Sequence, residues 1–421
     1  MALFLASPAL AAAPPRAVVE HVAKLIEDNY VHVDVAKRLA DGLRSDASAG
    51  KFDTLTDPRD LATALSDRLK KTDGHFNVAY DPQAPSDGGP SPAPTPDKLR
   101  RLAAMSRQFN WGFRRVEVLP GNIGYINMSG FEDIDPADPD APAKRAADAA
   151  LRFVAGTDAV IFDLRDSSGG APRMVGYLVS AFEPEGADIY NTFHTRAESF
   201  DEKPKSKLAD PPRTTVPVYV LTSGRTASAA EAFPYTLQTA KRAKVVGERS
   251  AGAANPGGYL SAGDHFGVFI SDGEPINPIS HKNWEGTGII PDIATPQAEA
   301  LEAAEHDALK TMKSEASMDQ ARLWALEALE RPFDRTPRAP LADYAGSYSS
   351  RSVRIEGGRL AVYRDRWPAQ ILLPLGGDVF TVDGHPQNRI TFERDKTGRL
   401  SGFSQDGFSG AGARFARTAQ P

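Results

Sequence analysis

Between Ile123 and Gly247 the sequence alternates short apolar runs with helix-like segments, and this alternation restricts the fold more than any other feature. The runs I-G-Y-I-N-M (Ile123–Met128), A-V-I-F-D-L (Ala159–Leu164), V-P-V-Y-V-L (Val216–Leu221) and A-K-V-V-G (Ala243–Gly247) are rich in branched residues. Helical patterns accompany them at Pro142–Val154, Ala171–Phe182 and Ser228–Ala243. Strands alternating with helices imply an α/β layer with a mainly parallel sheet. Functional groups in such a sheet sit at the carboxyl ends of its strands.

The flanking sequence has a different character. From Pro15 to Leu69 apolar residues recur at three- and four-residue steps, and Thr56-Asp57-Pro58 reads as the cap of a third helix, so a small helical bundle is expected. Asp81–Asp97 is crowded with Pro, Gly and Ser and reads as a linker or mobile loop. Helical stretches at Ala298–Lys313 and Met318–Glu330 follow the α/β region. From Pro340 apolar and polar residues alternate between Gly- and Asp-rich turns, the pattern of a small antiparallel barrel or sandwich of ~80 residues. Tyr344, Tyr348, Phe380 and Phe392 are expected to fill its core. The expected division is a signal-like start (1–14), a helical domain (15–80), a Pro-rich linker (81–110), an α/β core (111–315), a helix and linker (316–339) and a β domain (340–421).

Composition removes several functions. A formal charge of -6 without basic runs argues against nucleic acid as a partner. The absence of cysteine excludes disulfides, zinc–thiolate sites and a cysteine nucleophile. The histidines show no ligand spacing such as H-E-x-x-H, so neither a metal nor a cofactor is expected. The start, M-A-L-F-L-A-S-P-A-L-A-A-A-P-P, has the apolar centre and small residues of a signal peptide without its basic end. No integral membrane segment is expected in the rest of the chain, and export to the periplasm or the exterior is.

Chemistry gathers at T-S-G-R-T-A-S-A-A-E (Thr222–Glu231), which sets Ser228 past a strand end at the opening of a helix. Unpaired N–H groups and the helix dipole favour an oxyanion there, although a plain serine cap fits the same residues. The neighbouring strand ends in D-L-R-D-S-S-G-G, whose Gly169 and Gly170 leave backbone N–H groups free to face a ligand or simply to turn. A phosphate cradle is the rival reading, without a G-x-x-x-x-G-K-[ST] motif to support it.

Together with D-G-H-F (Asp73–Phe76), G-N-I-G-Y-I (Gly121–Ile126), V-V-G-E-R-S-A-G (Val245–Gly252) and N-W-E-G-T-G-I-I-P-D-I (Asn283–Ile293), these motifs resemble the tail-specific, or C-terminal processing, serine peptidases. Tricorn-core and retinoid-binding-protein-like members form the relevant branch. The resemblance implies a crotonase/ClpP-like core and a peptide or protein substrate. One branch of the family activates its serine with a lysine in G-E-x-T-x-G-K-G, but Ala253 stands at that place here. A lysine base would also need a buried site able to offset ~4 kcal/mol. The tricorn-like branch implies His75 as the base of Ser228, Glu285 as its partner, and Ala229 with Gly169 or Gly170 as oxyanion donors. Gly74 replaces the serine that precedes the histidine in tricorn, so a triad is implied rather than a tetrad. Ala229 replaces tricorn's acidic residue after the nucleophile, so no preference for basic side chains carries over. Only about 45 residues separate His75 from Ile123, too few for the PDZ domain of some members. The resemblance leaves homo-oligomer formation open. A catalytically silent binder of hydrophobic ligands or peptides is the second reading, and an α/β-hydrolase esterase, lacking G-x-S-x-G, the last.

Overall fold

The N-terminal helices are α1 (Pro15–Asn29), α2 (Val33–Ser48) and α3 (Pro58–Leu69). Asp57 caps α3 by accepting the Arg59 N–H, with Pro58 in the first turn, as the sequence predicts. Strand β1 (Asn77–Tyr80) follows, and then α4 (Pro96–Gln108) inside the segment expected to be a linker. Thr95 caps α4 by accepting the Lys98 N–H, and Pro96 opens it, a start signal hidden by the Pro-rich composition around it. The computed structural model describes residues 14–84, 95–312, 319–330, 335–407 and 412–418. The signal-like stretch and most of the Pro-rich one therefore lie outside the described residues.

The α/β region runs β2 (Phe113–Leu119), β3 (Ile123–Met128), α5 (Pro142–Phe153), β4 (Ala159–Asp163), α6 (Pro172–Ser180), β5 (Thr192–Thr195), β6 (Ser199–Asp201), β7 (Val218–Thr222), α7 (Ala229–Thr239) and β8 (Ala243–Gly247). It continues through β9 (Gly257–Gly263), β10 (Phe266–Ser271), β11 (Gly273–Ile276) and β12 (Ile293–Ala294) to α8 (Ala300–Thr311) and α9 (Asp319–Glu330). A six-stranded sheet has the order β12-β8-β7-β4-β3-β2, with β7–β8 and β8–β12 parallel. Every residue of β4 and β7 is buried, which is why these strands read as unbroken apolar runs.

Contacts divide the chain into two units. The first comprises Met1–Val116, Ile126–Arg152 and Phe162–Ala298. Its N-terminal helices do not form a free-standing bundle. Val22, Ile26, Leu43, Leu65 and Phe76 share one core with Ala262, Phe266, Val268 and Ile270 of the β9–β10 hairpin. Strand β1 completes that layer by pairing antiparallel with β10, Asn77 opposite Phe269. The hairpin turns at Asp264 and His265, both at positive φ.

The second unit comprises Glu117–Tyr125, Phe153–Ile161 and Glu299–Pro421. Its eight-stranded antiparallel sheet, from Gly346–Tyr348 to Ala413–Ala416, follows chain order throughout. A bridge between Tyr348 and Arg417 brings the first strand back to the last, so the sheet is a nearly closed barrel. Tyr344, Tyr348, Phe380 and Phe392 are buried as expected, joined by Phe403 and Phe415. Phe403 meets Tyr348, Phe392 and Phe415 at ring separations of 5.0 to 5.5 Å. Phe403→Ala is expected to destabilise this unit by about 3–5 kcal/mol, read by chemical denaturation. A loss below ~1 kcal/mol would contradict a solidly packed interior.

Candidate active site

Three segments meet beside Ser228, and each is fixed by backbone hydrogen bonds. Past α3, the Asp73 carboxylate accepts the His75 N–H at 2.8 Å, and the Phe76 N–H reaches the Asp73 carbonyl at 3.2 Å. This Asx turn, with Phe76 fully buried against Tyr30, aims His75 to the other side of the chain. The His75 ring stacks on Phe269 of β10 at 5.8 Å.

The second segment is the turn around Glu285, anchored by buried Trp284. Glu285 Oε2 accepts the Ala254 and Asn255 N–H groups at 2.7 and 3.0 Å. Gly252 lies at a φ of 81°, and a Cβ there would stand 2.9 Å from the Gly288 nitrogen. Glycine is thus required where the 250–255 loop meets the Glu285 turn.

Ser228 ends the third segment, after β7. The Ser223 hydroxyl donates to the Arg165 carbonyl, the Thr226 hydroxyl to that of Leu164, and the Ala227 N–H to that of Ser167. These bonds join the Ser228 loop to the Gly-Gly loop. Ser228 itself has φ 56° and ψ -126°, a conformation that costs a non-glycine residue about 1–3 kcal/mol. Glu231, fully buried, holds it there. One Glu231 oxygen accepts the Ser228 and Ala253 N–H groups, and the other accepts Gly252 N–H and the Ser250 hydroxyl. Ala253 N–H thus binds Glu231 while the next amide, Ala254, binds Glu285, so one short loop sets both carboxylates.

Gly169 faces the serine. A Cβ on it would stand 2.7 Å from Ser228 Cβ and 3.0 Å from the Ala229 nitrogen. Its carbonyl accepts the Phe131 N–H, while the Phe131 carbonyl accepts that of Ala171. Among the described residues, the N–H groups of Gly169, Gly170 and Ala229 make no hydrogen bond within the protein.

Charge converges on His75. Its Nδ1 lies 3.4 Å from Asp73 Oδ1 and 3.9 Å from Glu285 Oε2. Burial opposes the charged ring, but the Asp73 carboxylate beside it, then the charges of Glu285 and Glu231, outweigh it and raise the His75 pKa. Burial and the neighbouring Asp73 charge push Glu285 above the usual carboxylate range. Burial likewise raises Glu231, against the hydrogen bonds it accepts. The side-chain N and O atoms of Asp73, His75 and Glu285 lie within 4.8 Å of one another, close enough to share a proton. Of this cluster the resemblance implied His75 and Glu285, and Asp73, two residues before His75, was missed. Among the described residues, Ser228 Oγ makes no hydrogen bond to the His75 ring. Such bonds often tighten only when substrate binds.

The structure therefore gathers Asp73, His75 and Glu285 into one cluster and packs Gly169 against Ser228. One loop, 250–255, ties the two groups together. Glu231 was missed in the sequence, although S-A-A-E is a capping-box pattern that marks it.

Residues 122–295 match peptidase family S41, and residues 9–120 match the N-terminal domain of peptidase S41 in eukaryotic IRBP. The chain thus carries a peptidase family S41 domain preceded by an N-terminal domain of that family. It is 28% identical over 197 residues to carboxyl-terminal-processing peptidase 1, chloroplastic, of Arabidopsis thaliana, covering 47% of this chain and 38% of that one. It is 28% identical over 188 residues to the carboxy-terminal-processing protease of Bartonella bacilliformis, covering 44% and 40%. The matches thus span about two-fifths of the length of these curated relatives. A putative peptidase from Parabacteroides merdae superposes with a TM-score of 0.49 at 18% identity, covering 72% of this chain and all of that one.

Proposed function

We propose that the protein is an exported serine endopeptidase whose nucleophile is Ser228, with His75 as base and Glu285 as its carboxylate partner. The observation that carries the reading is the strained Ser228 backbone, held by Glu231 beside unclaimed N–H groups. His75 Nε2 takes the Ser228 proton as Oγ attacks the peptide carbonyl. The N–H groups of Ala229 and of Gly169 or Gly170 receive the oxyanion. His75 then returns the proton to the leaving amine, giving an acyl-enzyme that water hydrolyses by the same steps. The carboxylates at Nδ1 keep the proton on that nitrogen, leaving Nε2 free to accept.

Peptide or protein chains are the proposed substrates, and Ala229 offers no charge beside the nucleophile to select among them. Export rests on the apolar, signal-like N-terminal sequence. Among the described residues no helix is long and apolar enough to cross a membrane. The silent-binder reading loses support, because aromatic rings fill the interior in which a barrel would hold a ligand.

A fluorophosphonate probe tests the proposal. Peptide mapping is expected to place one adduct on Ser228, at a rate that collapses in His75→Ala. A folded protein that takes up no label would overturn it.

A further inference from the structure

We propose that Asp73 is the principal positioning residue of His75, the carboxylate that holds its Nδ1 proton, with Glu285 in a supporting place. The inference rests on the reading of His75 as the base of Ser228.

Distance is the first argument: Asp73 Oδ1 stands at 3.4 Å from Nδ1, and Glu285 Oε2 at 3.9 Å. Burial is the second. The Asp73 side chain is 0% exposed and that of Glu285 19%, so the field of Asp73 is less screened by water. A third argument is prior commitment. Glu285 Oε2 already accepts two backbone N–H groups, whereas His75 Nδ1 and Asp73 Oδ2 are both buried without a hydrogen-bond partner. Buried polar atoms seldom stay unpaired, and a small rotation of the ring would join this turn's own carboxylate to its own imidazole.

Asp73 is also suited to remain ionised. Burial acts against its charge, but the His75 ring and N–H and the Ser271 hydroxyl outweigh that and hold it below the usual carboxylate range. The Tyr30 hydroxyl, at the end of α1, lies beside it as well. Because Asp73 and His75 share one Asx turn, their geometry does not depend on the 250–255 loop.

The test compares Asp73→Asn, Asp73→Glu, Glu285→Gln and His75→Ala by rate of fluorophosphonate labelling across pH. Asn can still accept the His75 N–H, so the turn is kept, while its neutral amide cannot hold the Nδ1 proton as a carboxylate does. Asp73→Asn is expected to label about 100- to 10,000-fold more slowly, with Asp73→Glu partly restored and Glu285→Gln the milder loss. The charged groups facing His75 are Asp73 on its own turn, Glu285, and Glu231 on α7, with the Tyr30 hydroxyl beside Asp73. Labelling of the wild type should rise with pH through a midpoint above the ordinary ~6.5 of histidine. In Asp73→Asn that midpoint should fall, because a charge favouring the imidazolium is gone. A structural role alone would leave the midpoint in place.

Wild-type labelling with an unmoved midpoint in Asp73→Asn, while His75→Ala is silent, would sink the inference and leave the base reading intact. Wild-type labelling in His75→Ala would sink both. Should Asp73→Asn not fold, the downfield Nδ1–H resonance of His75 decides. It should persist in Glu285→Gln, and its disappearance there would name Glu285 as the acceptor instead.

Discussion

Ser228→Ala is expected to slow peptide hydrolysis by about 10,000- to 1,000,000-fold, with little change in folding free energy. The residual rate would come from the oxyanion donors, which the substitution leaves in place. His75→Ala should cost a comparable factor, and the double variant little more, because the two side chains act as one unit. Additive losses would show that they do not. The backbone gives an independent readout. Alanine at position 228 inherits the positive φ of the serine, so it relieves no strain. Ser228→Gly should remove both activity and strain, raising stability by about 1–2 kcal/mol. An inert but unstabilised glycine variant would mean that the turn is relaxed and that Ser228 is not held under strain.

Glu231→Gln should have the second large effect. Its carboxylate accepts from Ser228, Ser250, Gly252 and Ala253, and a glutamine amide turns one of the two acceptor oxygens into a donor. Buried donors left without an acceptor cost about 1–3 kcal/mol each, so denaturation should show a loss of about 3 kcal/mol or more. Activity should fall roughly 100-fold as well, because the strained serine loses the bond that fixes it. A variant within ~0.5 kcal/mol of wild type would mean that the network is dispensable.

How much of this could be read in the sequence follows from where each element draws its stability. Strands β4 and β7 were legible because every residue in them is buried, and β8 because all but Lys244 are. The β9–β10 hairpin was not, since its glycines and half-exposed alternation resemble loop, and its inward residues serve a core formed by distant helices. Helix α4 went unseen behind the prolines before it, with Thr95-Pro96-Asp97 as the unused signal. Ser228 could be singled out because strand and helix patterns bracket it. That Asp73 lies nearer than Glu285 to His75 could not be, because the 250–255 loop places Glu285 through main-chain N–H groups that carry no side-chain identity.

The N-terminal core, closed by that hairpin, imposes an order of events on synthesis. Helices α1 to α3 leave the ribosome long before β9 and β10, yet Val22, Leu65 and Phe76 have no complete apolar surroundings until residues near Ile270 arrive. Such distant closure is slow, and partly made chains expose what the hairpin will cover. The same closure seats Asn77 against Phe269 and so fixes the chain that carries His75. An incomplete chain therefore holds His75 unanchored, and the proposed catalytic cluster cannot be completed while the chain is still being made.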